Sequence, residues 1–391
     1  MTNATALEAL DRFHLEYDRK PNGLWSAPGR VNLIGEHTDY NDGYVFPFAI
    51  NRRTYAAVAL REDQMICVAS SFSNEKIQVS LNDISTNEKY GWAAYPLGVA
   101  YAVKKIATQN GQNTDFIGAD IFITSDVPVG AGLSSSAAIE CAVGLALNEL
   151  WNTGLTKSQL ASAGQLGENQ IVGAPTGIMD QTASLFGELD HAVFLDCRTR
   201  EAKPINLGFA AAGLELLIID TKVAHRLVDG GYAERRAACE YGAAQMGKTS
   251  LRDLSETDLI RAEEILDDVT FRRVRHVVTE NARVLNTVET LTSNGPRAIG
   301  ALMHESHVSM RDDFQISIDE LDTAVETAQR HGAIGARMTG GGFGGAAIAL
   351  VPVEKIGEVS LSITAEFEAL GYQKPDIFTV SAAPGARREN V

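Results

Sequence analysis

Long hydrophobic runs are missing from this chain of 391 residues. No stretch approaches the roughly 18 uncharged apolar residues of a membrane-crossing helix, so a membrane partner is not expected. Cysteine is scarce, with four residues at positions 67, 141, 197 and 239 and no C-x-x-C pair among them. Those wide spacings fit neither a disulfide framework nor a zinc site, and they read as free, mostly buried thiols in a reducing compartment. Positive charge is in deficit too: 34 Lys and Arg stand against 50 Asp and Glu, a formal charge of −16. A surface of that sign repels nucleic-acid backbones and anionic lipid, so nucleic acid is not an expected partner either. A local basic pocket can still sit within an acidic protein, so small anionic ligands stay open. Residues 1–20 carry acidic side chains and no apolar run, unlike a secretory leader, and a cytoplasmic protein is the expectation. Repeats of fixed period and low-complexity linkers are also absent.

What the chain does have is core material. Hydrophobic residues make up 45% of it, enough that no disulfide staple is needed. At about 150 residues per domain the length points to two or three domains. Leu7, Leu10, Phe13 and Tyr17 recur at helical spacing. Thr54–Leu60 and Met65–Ala69 read as strands, Trp92–Ile106 as a helix, and Ala119–Thr124 as an alternating strand. Two helices are expected over Ser134–Leu150 and Lys157–Gln170, then strands at Ala192–Leu195 and Leu214–Ile219. From Tyr232 to Arg330 the pattern is helical, with loop signals near Gly247–Thr249 and Ser293–Pro296. The tail mixes a strand at Ala346–Val351, a helix near Lys355–Leu370 and a strand at Asp376–Ser381. Strands and helices interleave without a strict βαβ rhythm, which indicates an α+β fold. A domain boundary is expected between residues 185 and 215, dividing the chain into 1–200 and 201–391.

Two glycine-rich segments bear on chemistry. Pro128–Ala138 lies between a strand and a helix, where Gly130 and Gly132 allow close backbone approach to an anion. The helix end behind them offers unsatisfied N–H donors at the positive end of its dipole. Ser134, Ser135 and Ser136 add hydroxyls, one of which could ligate magnesium. No G-K-[S/T] follows, so this is not a Walker A loop, and a tight turn with a serine N-cap is the plainer alternative. Met338–Gly345 holds five glycines in six positions between Ala333–Arg337 and an apolar strand. Close packing against a ligand or another loop suits that setting better than a flexible linker.

Three charged segments complete the picture. Arg30–Asn41 gathers Arg30, Glu36, His37, Asp39 and Asn41 around an apolar centre, a mix that suits a polyhydroxyl ligand, although on composition alone a surface loop with incidental salt bridges is the commoner case. Gly177–Gln181 sets Asp180 among apolar residues twelve positions after Glu168, where a cap, a core ion pair and a catalytic group are all possible. His304-Glu305-Ser306-His307 lacks the spacing of a zinc protease and reads as a solvated helix face.

Taken in order, Pro128–Ala138, Gly177–Gln181 and Met338–Gly345 resemble the three motifs of the GHMP superfamily of small-molecule kinases. Gly29–Gly43 narrows the likeness to the galactokinase family, whose signature it matches without an identifiable substitution, and Glu305–His307 with Arg311–Phe314 resembles a further family segment. The likeness runs from about residue 20 to the C-terminus. It implies a two-domain GHMP-kinase-like fold with the active site in the interdomain cleft, and transfer of a phosphoryl group from ATP to the C1 hydroxyl of galactose. By the same likeness Gly130, Gly132 and Ser134–Ser136 would hold ATP phosphates, Ser136 and Glu168 would bind Mg2+, and Trp92 and Tyr95 would wall the adenine. Asp180 would face the sugar hydroxyl as base or orienter with Arg30 beside it as charge stabiliser. Glu36, His37, Asp39 and Tyr232 would contact the sugar. A monomer is implied. Kinases of N-acetylgalactosamine, arabinose or galacturonate share these motifs, and a non-catalytic galactose sensor is a more distant alternative, opposed by the intact Ser136-Ala137, Asp180 and Arg30. The central expectation is geometric: residues 30, 136 and 180 meet at one place.

Overall fold

The computed structural model describes residues 4–86, 89–112, 115–223 and 230–390. The first part of the chain runs α1 (Ala4–Tyr17), β1 (Gly23–Asn32), β2 (Tyr44–Val45), β3 (Pro47–Leu60), β4 (Met65–Ser70) and β5 (Ser73–Ser80). Then come α2 (Ala94–Gln109), β6 (Ala119–Ser125), α3 (Ser135–Leu150), α4 (Lys157–Gly167), α5 (Met179–Phe186), β7 (His191–Asp196) and β8 (Glu201–Asn206). The remainder begins with β9 (Leu214–Asp220), α6 (Gly231–Gln245), α7 (Leu259–Ile265), α8 (Asp268–Asn294), α9 (Gly300–Ser309) and α10 (Asp319–Arg330). It closes with β10 (Gly335–Thr339), β11 (Ala346–Pro352), α11 (Ile356–Leu370), β12 (Asp376–Val380) and β13 (Arg387–Arg388). The fold is α+β, as the interleaving without a βαβ rhythm implies.

Three sheets organise these elements: β13-β1-β3-β6-β4-β5, β10-β11-β9-β12 and β2-β7-β8. Every pairing is antiparallel except β4 with β6. Side chains alternate across each strand, and the core follows that period of two. In β3 and β6, Ala56, Val58, Ile121 and Ile123 pack with α2 and α3, whereas Tyr55, Ala57 and Phe122 turn to the opposite face and meet α1. In β9 and β11, Leu217, Ile219, Ala347 and Ala349 join the helices α6, α8, α10 and α11. Their alternates Leu216, Ile218, Ile348 and Leu350 face Val31, Leu33, Phe46 and Phe48 from the first part of the chain. This shared apolar layer holds the two halves against each other and fixes the depression between them.

Two details differ from expectation. Helix α1 forms where the spacing places it, but Ala6, Ala9 and Phe13 are its buried line and Leu7 faces solvent. Small alanines let the helix lie close to the sheet, and the larger Leu7 falls just off the contact stripe. The expected solvated face at 304–307 is also corrected. His304 and Glu305 are exposed, but Ser306 and His307 are buried. Helix α9 packs on β10, where Met338 N–H donates to His307 Nδ1 at 3.3 Å. The opposite ring nitrogen lies 3.2 Å from Asp322. Polar side chains with such partners can face inward without the usual cost.

The tail returns to the beginning. Strand β13 pairs with β1 through Trp25↔Arg388 and Ser26↔Arg387. Arg53, buried on β3, fans its guanidinium onto Ser26 Oγ (2.9 Å), Pro384 O (2.7 Å) and Gly385 O (2.9 Å). Arg53→Leu leaves these acceptors unpaired and is expected to lower the unfolding free energy by about 3 kcal/mol or more, read by urea denaturation. Amide exchange at Gly385 and Ala386 should accelerate in the same variant. Unchanged protection there would show that the tail is held by other contacts.

Candidate active site

The site begins with a pleat of β1. Arg30 lies inside the sheet and aims its guanidinium at the segment before α3. Its Nη1 donates to Gly132 O at 2.5 Å, while Nε and Nη2 donate to Asp180 Oδ1 and Oδ2 at 2.7 and 2.8 Å. This two-pronged geometry fixes both the position and the plane of the carboxylate. A third donor comes from Ser134, whose hydroxyl meets Asp180 Oδ2 at 2.5 Å. Ser134 holds a left-handed backbone, φ 54°, which a serine adopts only at some cost. That turn aims its side chain at Asp180 and away from its own helix end, so the N-cap alternative does not hold.

Behind this pair the two glycine-rich loops lie back to back. Gly340 has φ 87°, and a Cβ on it would come within 3.3 Å of Gly132 O. At Gly342 a Cβ would stand 2.6 Å from Ile316 O, so only glycine fits. The second loop is therefore packed against another loop, one of the two expected readings, and it also contributes Gly340 and Gly341 to a cavity of about 380 Å3. Arg30, Ser136 and Asp180 all line that cavity, with Gly130, Gly132, Ser134, Ser135 and Glu168. Residues 30, 136 and 180 thus converge as expected.

The sugar-signature residues form one wall. His37 has φ 62°. Its Nε2 lies 3.1 Å from Gly341 O and its Nδ1 2.7 Å from Tyr40 Oη. A carbonyl can only accept, so Nε2 carries the proton towards Gly341 and Nδ1 accepts from the tyrosine. The His37 ring lies 5.0 Å from that of Tyr232. Asp39 accepts from Tyr40 N at 2.9 Å, and a Cβ on Gly177 would stand 1.8 Å from its Oδ2. Glycine at 177 is what lets this carboxylate approach α5. Glu36 is engaged throughout: Oε1 accepts from Gly340 N (2.9 Å) and Thr339 Oγ1 (3.2 Å), while Oε2 accepts from Asn32 Nδ2 (2.9 Å) and from the buried Arg337. Both of its oxygens already hold two protein donors, so direct contact with a sugar requires one of them to yield.

Carboxylates crowd the opposite wall. Glu168 stands where α4 widens into a π-type turn, Glu168–Val172, a feature often found at functional sites. It accepts from Thr176 Oγ1 at 2.9 Å and Gln181 Nε2 at 3.0 Å. Burial, then the charge of Asp180, pushes its carboxyl up to about 7. The same two causes raise Asp39 to about 6. Trp92 and Tyr95 also line the cavity. Phe72 stands edge-on to Trp92 at 5.1 Å and was not among the expected residues. It sits in the turn between β4 and β5, where no periodicity marks it. Gln181 carries no sequence signal of its own beyond its place beside Asp180.

Three family models match this chain: the galactokinase galactose-binding signature over residues 11–60, the GHMP kinases N terminal domain over 95–188, and the GHMP kinases C terminal domain over 287–369. The chain is 46% identical over 391 residues to the galactokinase of Streptomyces coelicolor (strain ATCC BAA-471 / A3(2) / M145), covering 99% of this chain and 100% of that protein. Against the galactokinase of Streptomyces lividans the identity is 44% over 374 residues, covering 94% of this chain and 92% of that protein. Among solved structures, Lactococcus lactis galactokinase complexed with galactose superposes with a TM-score of 0.91 at 31% identity, covering 98% of this chain and 100% of that one. Methanococcus jannaschii mevalonate kinase shares the fold, with a TM-score of 0.64 at 21% identity, covering 92% and 98% of the two chains.

The raised carboxyl of Asp39 has a measurable consequence. Below about pH 4 it is neutral whether folded or unfolded; above pH 6 it is ionised in both, and only the folded state bears the burial cost. Asp39→Asn removes that cost, so the variant should gain stability relative to the parent as pH rises from 4 to 7. The gain is at most about 3 kcal/mol, from about 1.4 kcal/mol per pKa unit. Denaturation of both proteins across that range checks it, and a pH-independent difference would refute the shift.

Proposed function

The chain belongs to the galactokinase family of ATP-dependent GHMP kinases, and we propose that it transfers the γ-phosphoryl group of ATP to the C1 hydroxyl of D-galactose through Asp180 and Arg30. The observation that carries this reading is the doubly bonded Arg30–Asp180 pair, set between the glycine-rich loops and the tip of α3. A sugar hydroxyl is a weak nucleophile at neutral pH. Asp180, held from three sides, accepts the hydrogen bond from that hydroxyl and takes its proton as oxygen bonds to phosphorus. Arg30 balances the carboxylate and adds positive charge beside the transferred group. The products are galactose 1-phosphate, ADP and a proton.

The open backbone at Gly130 suits the phosphates, since a Cβ there would meet nothing within 4 Å. Gly132 and the N–H groups of Ser134, Ser135 and Ser136 stand beside it at the positive end of α3. Trp92 and Tyr95, joined by Phe72, form an apolar slot for the adenine. His37, Asp39 and Tyr232 face the sugar, and Glu36 joins them by releasing one donor.

Mg2+ fits the oxygen donors present, the Ser136 hydroxyl and the Glu168 carboxylate. Among the described residues no group of three or more His, Cys, Asp or Glu is arranged to hold a metal, which suits an ion shared with nucleotide phosphates. When bound, Mg2+ offsets charge on the transferring phosphates. The division of the chain is best drawn between β8 and β9, because residue 200 falls in the turn of the β7–β8 hairpin.

Asp180→Asn is expected to lower galactose-dependent ADP release by about 10²–10⁴-fold, the range typical of general-base loss. Galactose binding, followed by calorimetry, should persist. Normal turnover in the variant would remove Asp180 from the chemistry, and faster turnover of another free sugar in the same assay would displace galactose as the substrate.

A further inference from the structure

One buried acid has no part in the reaction as described. Glu140 lies on α3 four residues after Ser136, on the same helix face and one turn deeper. It is 1% exposed. Its Oε2 accepts from Gln181 Nε2 at 2.9 Å, and that same nitrogen donates to Glu168 Oε2 at 3.0 Å. An amide has two N–H hydrogens, and here one goes to each carboxylate. The space for this bridge is reserved by Gly164 on α4, where a Cβ would stand 2.7 Å from Gln181 Cγ and 3.2 Å from Glu140 Oε2. Gln181 itself is fully buried.

As a purely structural arrangement this is a poor one. Among the described residues Glu140 Oε1 and Gln181 Oε1 are buried without a hydrogen-bond partner. Burying an acid with one donor destabilises a fold, and an apolar side chain of similar size would pack there at less cost. Burial also raises the Glu140 carboxyl well above its ordinary value. Such an arrangement makes sense where the orientation of a neighbouring group matters more than stability.

We propose that Glu140 is a positioning residue that acts through the Gln181 amide to set the Glu168 carboxylate for the divalent ion. Glu140 Oε2 accepts from the amide nitrogen, so the NH2 end of Gln181 faces both acids and the amide oxygen points away from them. Thr176 holds the same Glu168 oxygen from the other side. With Glu140 absent the amide is free to turn its oxygen on Glu168 and repel it. The proposal rests on the reading of Glu168 as a metal ligand.

The test uses the whole protein with ADP and Mn2+ as the probe, with bound and free Mn2+ separated by electron paramagnetic resonance. Glu140→Leu should weaken Mn2+ binding by about 10-fold or more, the usual effect of losing a group behind a metal ligand. Glu140→Gln can still present an oxygen to Gln181 and should stay within about 3-fold of the parent. Galactose affinity, measured without nucleotide, should be the same in both variants, and Glu168→Gln should weaken Mn2+ strongly. If Glu168→Gln weakens Mn2+ but Glu140→Leu does not, the positioning role is overturned and the ligand stands. If Glu168→Gln has no effect, the metal reading fails and the proposal with it. Equal damage from Glu140→Leu and Glu140→Gln, with galactose affinity lost in both, would mean general packing damage and would also overturn it.

Discussion

The contact between Arg30 and Asp180 joins three elements that are distant in sequence. Arg30 comes from β1, Asp180 from the first turn of α5, and both are tied to the stretch ahead of α3 through Gly132 O and Ser134 Oγ. A bidentate pair of this kind tolerates little rotation. Its geometry therefore transmits the placement of the sheet to the tip of α3, and the remainder of the site is arranged around it. The left-handed Ser134 makes sense only in this light: strain at one backbone position is offset by a bond to the central carboxylate.

Around this pair the chain assembles an unusual balance of charge. Glu36, Asp39, Glu168 and Asp180 line one small volume, Glu140 lies buried behind Glu168, and Arg30 is the cation among the cavity-lining residues. The upward shifts at Asp39 and Glu168 are the direct expression of that crowding, since each is raised by burial and by Asp180. A nucleotide entering such a pocket brings further negative charge. Backbone N–H groups and a helix end can meet it without adding bulky side chains, which explains why glycines and serines line this face. A divalent ion held by Ser136 and Glu168, as proposed, would supply the rest of the compensation.

Much of this was legible in the residues alone. Strands β3, β6 and β9 announce themselves by short apolar runs, the first glycine-rich loop by its place between strand and helix, and the second by its place ahead of an apolar strand. The convergence of Arg30, Ser136 and Asp180 was readable only as an ordered set of motifs, because no local spacing relates them. Other features depend on tertiary neighbours. His307 looks like a surface residue until β10 and α10 are laid against its helix. Glu36 looks like a free ligand group until Arg337, Asn32, Thr339 and Gly340 are seen to engage it. Phe72 carries no signal, since a single aromatic in a hairpin turn has no period. Glu140 was hidden for a different reason: an acid in an alanine-rich helix suggests the solvent side, and only the bridge to Gln181 shows why it points inward.

The return of β13 to β1 bears on how the chain acquires its structure. On a ribosome the first sheet cannot gain this edge strand until residues 387–388 have emerged, long after β1 and β3 have been made. During that interval the edge of β1 near Trp25 stands open, and exposed strand edges invite pairing with other chains. Closing a loop of such length is also slow compared with local contacts. Completion of the first sheet is therefore a late event in biogenesis, and a chain cut short by even a few residues at its end leaves that edge uncovered.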